Sequence, residues 1–183
     1  MKRLLWMIPA CLLLTGCGRA LPQSQEEMPP IVFEACSHDP ERDQVFRSFY
    51  DCNGMYYAAE GADMCTMRLD DLIEAYENGA LTEYQTGRTC DVSELLEMHK
   101  LLVELTYEPD FGLDEPEAVP AVEAPSTSWY GIYYDEDGSC RELQFHAHHN
   151  GIPVYGNDER ARTLVNWWQS TFQSDAEPLE QPE

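Results

Sequence analysis

The sequence predicts an α+β chain, with a mainly helical part over residues 31–106 and a β-hairpin or short sheet covered by a helix over 128–173. Three observations predict it. Apolar residues recur at helical spacing through the first part. Aromatic and alternating apolar residues, punctuated by turn signals, fill the second. Between them, 107–127 holds Pro109, Pro116, Pro120 and Pro125 with six acids and no base, the composition of a linker or long loop.

Ile31-Val32-Phe33 suits a short strand. Asp39-Pro40 has the form of an N-cap followed by proline at the first helical position. Val45, Phe46 and Phe49 follow at helical spacing, up to a stop at Asn53-Gly54. Thr66 is placed to cap a second helix with Leu69, Leu72, Ile73 and Tyr76 on one face. Asn78-Gly79 supplies its end. Asp91 and Glu94 have capping-box spacing. Behind them runs the longest apolar stripe, Val92, Leu95, Leu96, His99, Leu102 and Val103.

Past the linker, Ser128 to Tyr134 reads as a strand, Asp135 to Gly138 as a turn, and Leu143, Phe145 and Ala147 as an alternating second strand. After a turn at Asn150-Gly151, Ile152 to Tyr155 suits an edge strand, because Pro153 lacks an N–H to donate. Asn157 or Asp158 caps a last helix with the stripe Ala161, Leu164, Val165, Trp168 and Phe172, which Trp167 leaves. This helix is expected to cover one sheet face, against Leu143 and Phe145. The acidic residues 174–183 are expected to form a disordered tail. No internal repeat is visible.

The first residues carry an address. Lys2 and Arg3 precede an apolar stretch from Leu4 to Leu14, short of the roughly 20 residues a membrane span needs. This is the pattern of a secretory signal peptide. It ends in Leu14-Thr15-Gly16-Cys17, which resembles the bacterial lipobox. The resemblance covers the first 17 residues and implies cleavage after residue 16, with a diacylglyceryl thioether on Cys17. Residues 17–30, polar and Pro-rich, then form a lipidated tether. Two acyl chains anchor stably where one binds only marginally. The resemblance places the chain on the extracytoplasmic face of a cell membrane, with the outer membrane an open alternative.

The chain carries 34 acids against 11 bases, a net charge of −23. Losing Lys2 and Arg3 with the signal makes it more acidic still. Such a surface repels nucleic acid and anionic polymers. It permits cationic peptides, basic protein patches and divalent metals. Apart from Cys11 in the signal and Cys17, five cysteines remain: Cys36, Cys52, Cys65, Cys90 and Cys140. An exported chain meets oxidising conditions, so these are candidate disulfide partners, with one thiol left over and the connectivity open.

His146 and His148, two apart on a strand, can present two imidazoles to one metal. A third ligand is open, with His99 or a carboxylate as candidates. Asp135, Asp137 and Ser139 alternate like calcium ligands, but Cys140 stands where the loop needs glycine, and a turn accounts for them. In the first hairpin strand Trp129 and Tyr133 face one way, and Tyr130 and Tyr134 the other. One pair is expected in the core. The other is expected outside, as an aromatic platform for a sugar or peptide. No G-x-S-x-G, S-x-x-K or P-loop occurs.

The expected function is therefore a non-catalytic binding or interaction module on a membrane-anchored lipoprotein. Its expected partners are membrane lipid, through the anchor, and a protein, peptide or glycan of the cell envelope. Nucleic acid is not among them, and no cofactor is expected beyond the covalent lipid. The alternatives are a metal-dependent or thiol enzyme at the cell surface and a structural envelope protein.

Overall fold

The computed structural model describes residues 27–114, 125–149 and 152–173, with the backbone alone for Phe172 and Gln173. The signal peptide, Cys17, residues 115–124 of the expected linker, the Asn150-Gly151 turn and the tail lie outside the described residues. Within these, one antiparallel sheet takes strands from both halves: β1 (Ile31–Asp39), β2 (Gln44–Asp51), β3 (Met55–Glu60), β4 (Gln85–Thr89), β5 (Ser126–Tyr134), β6 (Cys140–His149) and β7 (Ile152–Tyr155). Its order is β4-β3-β2-β1-β5-β6-β7. Three helices accompany it: α1 (Leu69–Glu77), α2 (Val92–Leu105) and α3 (Glu159–Gln173).

This corrects the expected fold class. Residues 31–106 are not mainly helical, and the two halves are not separate helical and hairpin parts. Residues 31–60 form three strands, and β1 pairs with β5 so that both halves share one sheet. The physical reason lies in burial on both faces. Along β2, Val45 and Phe49 belong to one core and Tyr50 to the other, so apolar residues do not alternate with polar ones. A strand covered on both sides imitates helical spacing over so short a window. Asp39-Pro40 also has a second use. The Asp39 carboxylate accepts the amides of Glu41 at 3.1 Å and Arg42 at 3.3 Å, which ties a strand-to-strand turn rather than a helix start.

Three elements form where the sequence placed helices. α1 ends at Asn78, with Gly79 in the left-handed region at φ 74°. Arg68, not Thr66, stands at its N-cap position, and no side chain caps it. Asp91 caps α2 by accepting from the amides of Ser93 at 2.8 Å and Glu94 at 3.2 Å. Asp158 accepts from the Arg160 amide at 2.8 Å at the start of α3. Arg160 then reaches Glu108 at 2.7 Å and Glu104 at 3.7 Å, joining α3 to the end of α2.

The helices divide unequally over the sheet. α2 and α3 cover one face, where Phe33, Tyr50, Phe145, Leu102, Leu164, Val165 and Trp168 form a single core. Phe145 meets α3 as expected. Trp167 does not leave the stripe: it is buried, 5.1 Å from the Phe33 ring, because α3 packs against both the sheet and α2 and so has a broad arc covered. The other face is covered in part by α1, which sets Leu72 and Tyr76 against Phe49 and Tyr57, and by the segment before it, which adds Met64 and Cys65. Seven strands span about 29 Å, and one helix is about 10 Å across. A nine-residue helix and the short segment before it therefore leave part of this face open, over β1, β5 and the start of β6.

The ends of the fold are stitched down. Met28 packs on the main core and Pro30 accepts the Cys52 amide at 3.0 Å, so the last residues of the expected tether belong to the fold. The first part of the expected linker is also tied. Leu113 bridges Gly156, Asp114 donates to the Tyr155 carbonyl at 2.9 Å, and Asn157 bonds Asp110 and Gly112.

Candidate functional site

The uncovered part of the α1 face is a groove of about 640 Å³. Its floor is the middle of the sheet. Glu34 and Cys36 on β1, Arg47 on β2 and Tyr130 on β5 alternate onto this face. One wall is the approach to α1, with Cys65, Met67, Arg68, Leu69 and Asp70. The other is the β5–β6 turn and the start of β6, with Asp137, Ser139, Cys140, Arg141 and Glu142.

Glu34 and Arg47 form a buried ion pair, 2 % and 4 % exposed. Arg47 Nε and Nη2 both donate to Glu34 Oε2, at 3.0 and 2.7 Å, and Nη1 donates to the Met67 carbonyl. Glu34 Oε1 accepts only a long contact from the Cys36 thiol, at 3.9 Å. Burial raises the Glu34 pKa, with Arg47 opposing it and the nearby Glu142 carboxylate adding to it. Charges within an apolar strand persist only when paired, and this pair is what allows Glu34 to stand at the floor of an open groove.

Around this pair the groove is mixed in charge. Arg141 is engaged by Asp135 at 3.3 Å and Asp137 at 4.0 Å. Glu142, Asp70 and Arg68 carry no ion pair among the described residues. Tyr130 is half-buried. Gln144 donates to the Ser128 hydroxyl at 3.0 Å, and Ser128 in turn bonds the Tyr130 hydroxyl.

Burial disfavours the thiolate at four of the five cysteines. Burial, with Glu34 beside it, pushes the Cys36 thiol up to about 12. Burial with Glu94 nearby does the same for Cys90, and burial also raises Cys52 and Cys140. All five of Cys36, Cys52, Cys65, Cys90 and Cys140 stand as free thiols. The structure gathers Cys36, Cys65 and Cys140 along the groove, while Cys52 lies in the β2–β3 turn and Cys90 just past β4.

The four expected platform aromatics divide by face. Trp129 joins the α3 side, and Tyr130 lines the groove. Tyr133 and Tyr134 are half-buried near the β5–β6 turn, and Ile132 between the two sets is fully buried in the α1-side core. Both faces of β5 are therefore covered near Ile132, and the open surface begins at Tyr130.

His146 and His148 do share a face, as their spacing requires, with ring centroids 4.8 Å apart. A bulge between Trp129 and Tyr130 of the β5–β6 pairing lets Phe145 and His146 both turn toward α3. His146 is stacked between Trp129 at 4.6 Å and Tyr155 at 4.7 Å, and its Nδ1 donates to the Val154 carbonyl at 2.8 Å. Its Nε2 is buried without a partner. Burial lowers the His146 pKa to about 4. His99, the candidate third ligand, sits elsewhere, donating from Nε2 to Ile132 under β5 at 3.1 Å. No cluster of three or more His, Cys, Asp or Glu is arranged to hold a metal among the described residues. Asp135 and Asp137 form the turn, accepting the amides of Glu136 and Ser139 at 2.8 and 2.9 Å.

Sequence reasoning missed Glu34, Arg47, Arg68 and Glu142. The first two left a signal: each is a single charge inside an apolar strand, Ile31 to Ala35 and Val45 to Tyr50. Two lone charges of opposite sign in neighbouring apolar runs mark a cross-strand pair.

No family model matches the chain, and no curated protein or solved structure is similar to it. No described helix is long and apolar enough to cross a membrane.

Proposed function

We propose that this chain is a lipid-anchored extracytoplasmic lipoprotein that acts as a non-catalytic binding module, with the groove over Glu34 and Arg47 as its seat. The observation that carries this reading is the groove itself: about 640 Å³, within the usual size of ligand sites, on a face that is only partly covered. The raised thiols favour binding over thiol chemistry, since the thiolate is the nucleophile. The lipobox-type leader favours the envelope as the source of the ligand.

A thermal-shift screen of the full chain in non-ionic detergent tests this, using envelope peptides and cell-wall glycan fragments. A ligand that binds the folded state raises the melting temperature by mass action. The expected result is a shift with one ligand class that disappears in Tyr130→Ala. A shift unchanged in that variant, or no shift with either class, contradicts the reading.

A further inference from the structure

The groove's charges identify the kind of ligand it accepts, given the reading of the groove as a binding seat. At its floor, the two oxygens of Glu34 are unequally served. Oε2 takes both Arg47 nitrogens, and Oε1 takes only the 3.9 Å thiol contact. A carboxylate oxygen in a site this buried is costly to leave without a strong donor. Glu34 is 2 % exposed and nevertheless lines the groove, so a ligand's donor can supply what the protein does not.

The groove's walls indicate the donor's charge. Arg47 is matched by Glu34, and Arg141 by Asp135 and Asp137. Among the described residues, Glu142 and Asp70 against Arg68 stay unmatched. Glu34 and Glu142 both line the groove, so the two carboxylates face a common space. A neutral ligand leaves their mutual repulsion in place, whereas a cation between them removes it. The net charge of −23 draws cations toward this face from a distance.

We infer that the groove receives a lysine- or arginine-bearing peptide segment, its side-chain cation held between Glu34 Oε1 and the Glu142 carboxylate. Tyr130 packs along the aliphatic stem, as amphipathic side chains favour. Arg68, at the N-terminal end of α1 and lining the groove, faces the carbonyl oxygens of the same segment. Volume agrees, because the groove holds more than one side chain and admits a short stretch of backbone with it.

Isothermal titration of the full chain in non-ionic detergent tests the inference with two capped probes, Ala-Ala-Lys-Ala-Ala and its counterpart with glutamine in place of lysine. The lysine probe is expected to bind at least about tenfold more tightly at low salt, and the advantage is expected to shrink at about 0.5 M salt as screening sets in. Glu142→Gln, at an exposed position where folding is not at stake, is expected to weaken the lysine probe about fivefold and leave the glutamine probe unchanged. Equal affinities for the two probes overturn the cation assignment and leave the binding groove standing. Tight lysine binding that ignores Glu142→Gln overturns it as well, placing the cation elsewhere on the acidic surface. If neither probe binds, the assignment falls, and the glycan arm of the thermal-shift screen decides the binding-module reading by itself.

Discussion

Arg47 sets two nitrogens on a single oxygen of Glu34, across the neighbouring strands β1 and β2 and below the mouth of a groove. The pair is almost wholly withdrawn from water, so neither charge tolerates loss of the other. Arg47→Met leaves a buried carboxylate alone and is expected to cost about 3–5 kcal/mol. The double variant Glu34→Leu with Arg47→Met removes both charges and is expected to recover most of that loss. Urea unfolding of the three proteins checks it. A double variant as unstable as the single one contradicts the pairing.

The two faces of β5 are expected to respond differently. Trp129 stacks on His146 and packs against the α3-side core, whereas Tyr130 lines open space. Trp129→Ala is expected to cost about 2 kcal/mol, below the full-burial range because the ring is only partly covered. Tyr130→Ala is expected to cost less than about 1 kcal/mol. Thermal unfolding gives the comparison, and equal losses contradict the assignment of the two faces.

What could be read beforehand followed from how each element is covered. α2 and α3 were legible because each shows one apolar stripe behind an aspartate cap, Asp91 and Asp158. The β5–β6 hairpin was legible through its Asp135 to Gly138 turn. β1 was legible only in its first three residues, and β2 and β3 were not, because Val32 and Ile31, Tyr50 and Phe49, and Tyr56 and Tyr57 send neighbouring apolar side chains into opposite cores. That pattern erases the alternation by which strands are recognised. Of the site, Tyr130 was legible as an aromatic on one face. The charges around it were not, since Glu34 meets Arg47 only through a strand pairing that the misread helix concealed.

Close packing behind β5 gives a sharper test of the fold. A Cβ on Gly131 would stand 2.2 Å from a methyl carbon of Leu102, which is fully buried and has no room to retreat. Gly131→Ala is expected to cost about 1–3 kcal/mol through overpacking. Adding Leu102→Ala opens the space the new methyl needs, so the pair is expected to be less destabilising than the two separate losses added together. Strict additivity in a double-mutant cycle contradicts the contact.

Two buried histidines make stability depend on pH. Burial lowers both His99 and His146 from 6.5 to about 4. Between those values the unfolded chain takes up protons that the folded chain refuses. Stability is therefore fully present above about pH 6.5, falls as pH drops through the window, and stops falling on their account near pH 4. Each contributes up to roughly 3 kcal/mol. Unfolding free energies of the protein and of His99→Gln, measured across the window, are expected to show a shallower slope in the variant. Parallel slopes contradict the burial of an uncharged His99.

The anchor is tested apart from the fold. Cys17→Ala is expected to abolish incorporation of labelled fatty acid and to leave an unprocessed precursor in cells. Label that persists on the variant contradicts the assignment of Cys17 as the lipidated residue.

The place where a ligand sits is read directly by an amide-shift map of the 15N-labelled full chain in detergent, titrated with the lysine pentapeptide. The expected result is a cluster of shifts at Cys36, Arg68, Tyr130 and Glu142, with His148 and Tyr155 on the opposite face unmoved. Shifts concentrated at His148 and Tyr155, or spread evenly over the acidic surface, contradict it.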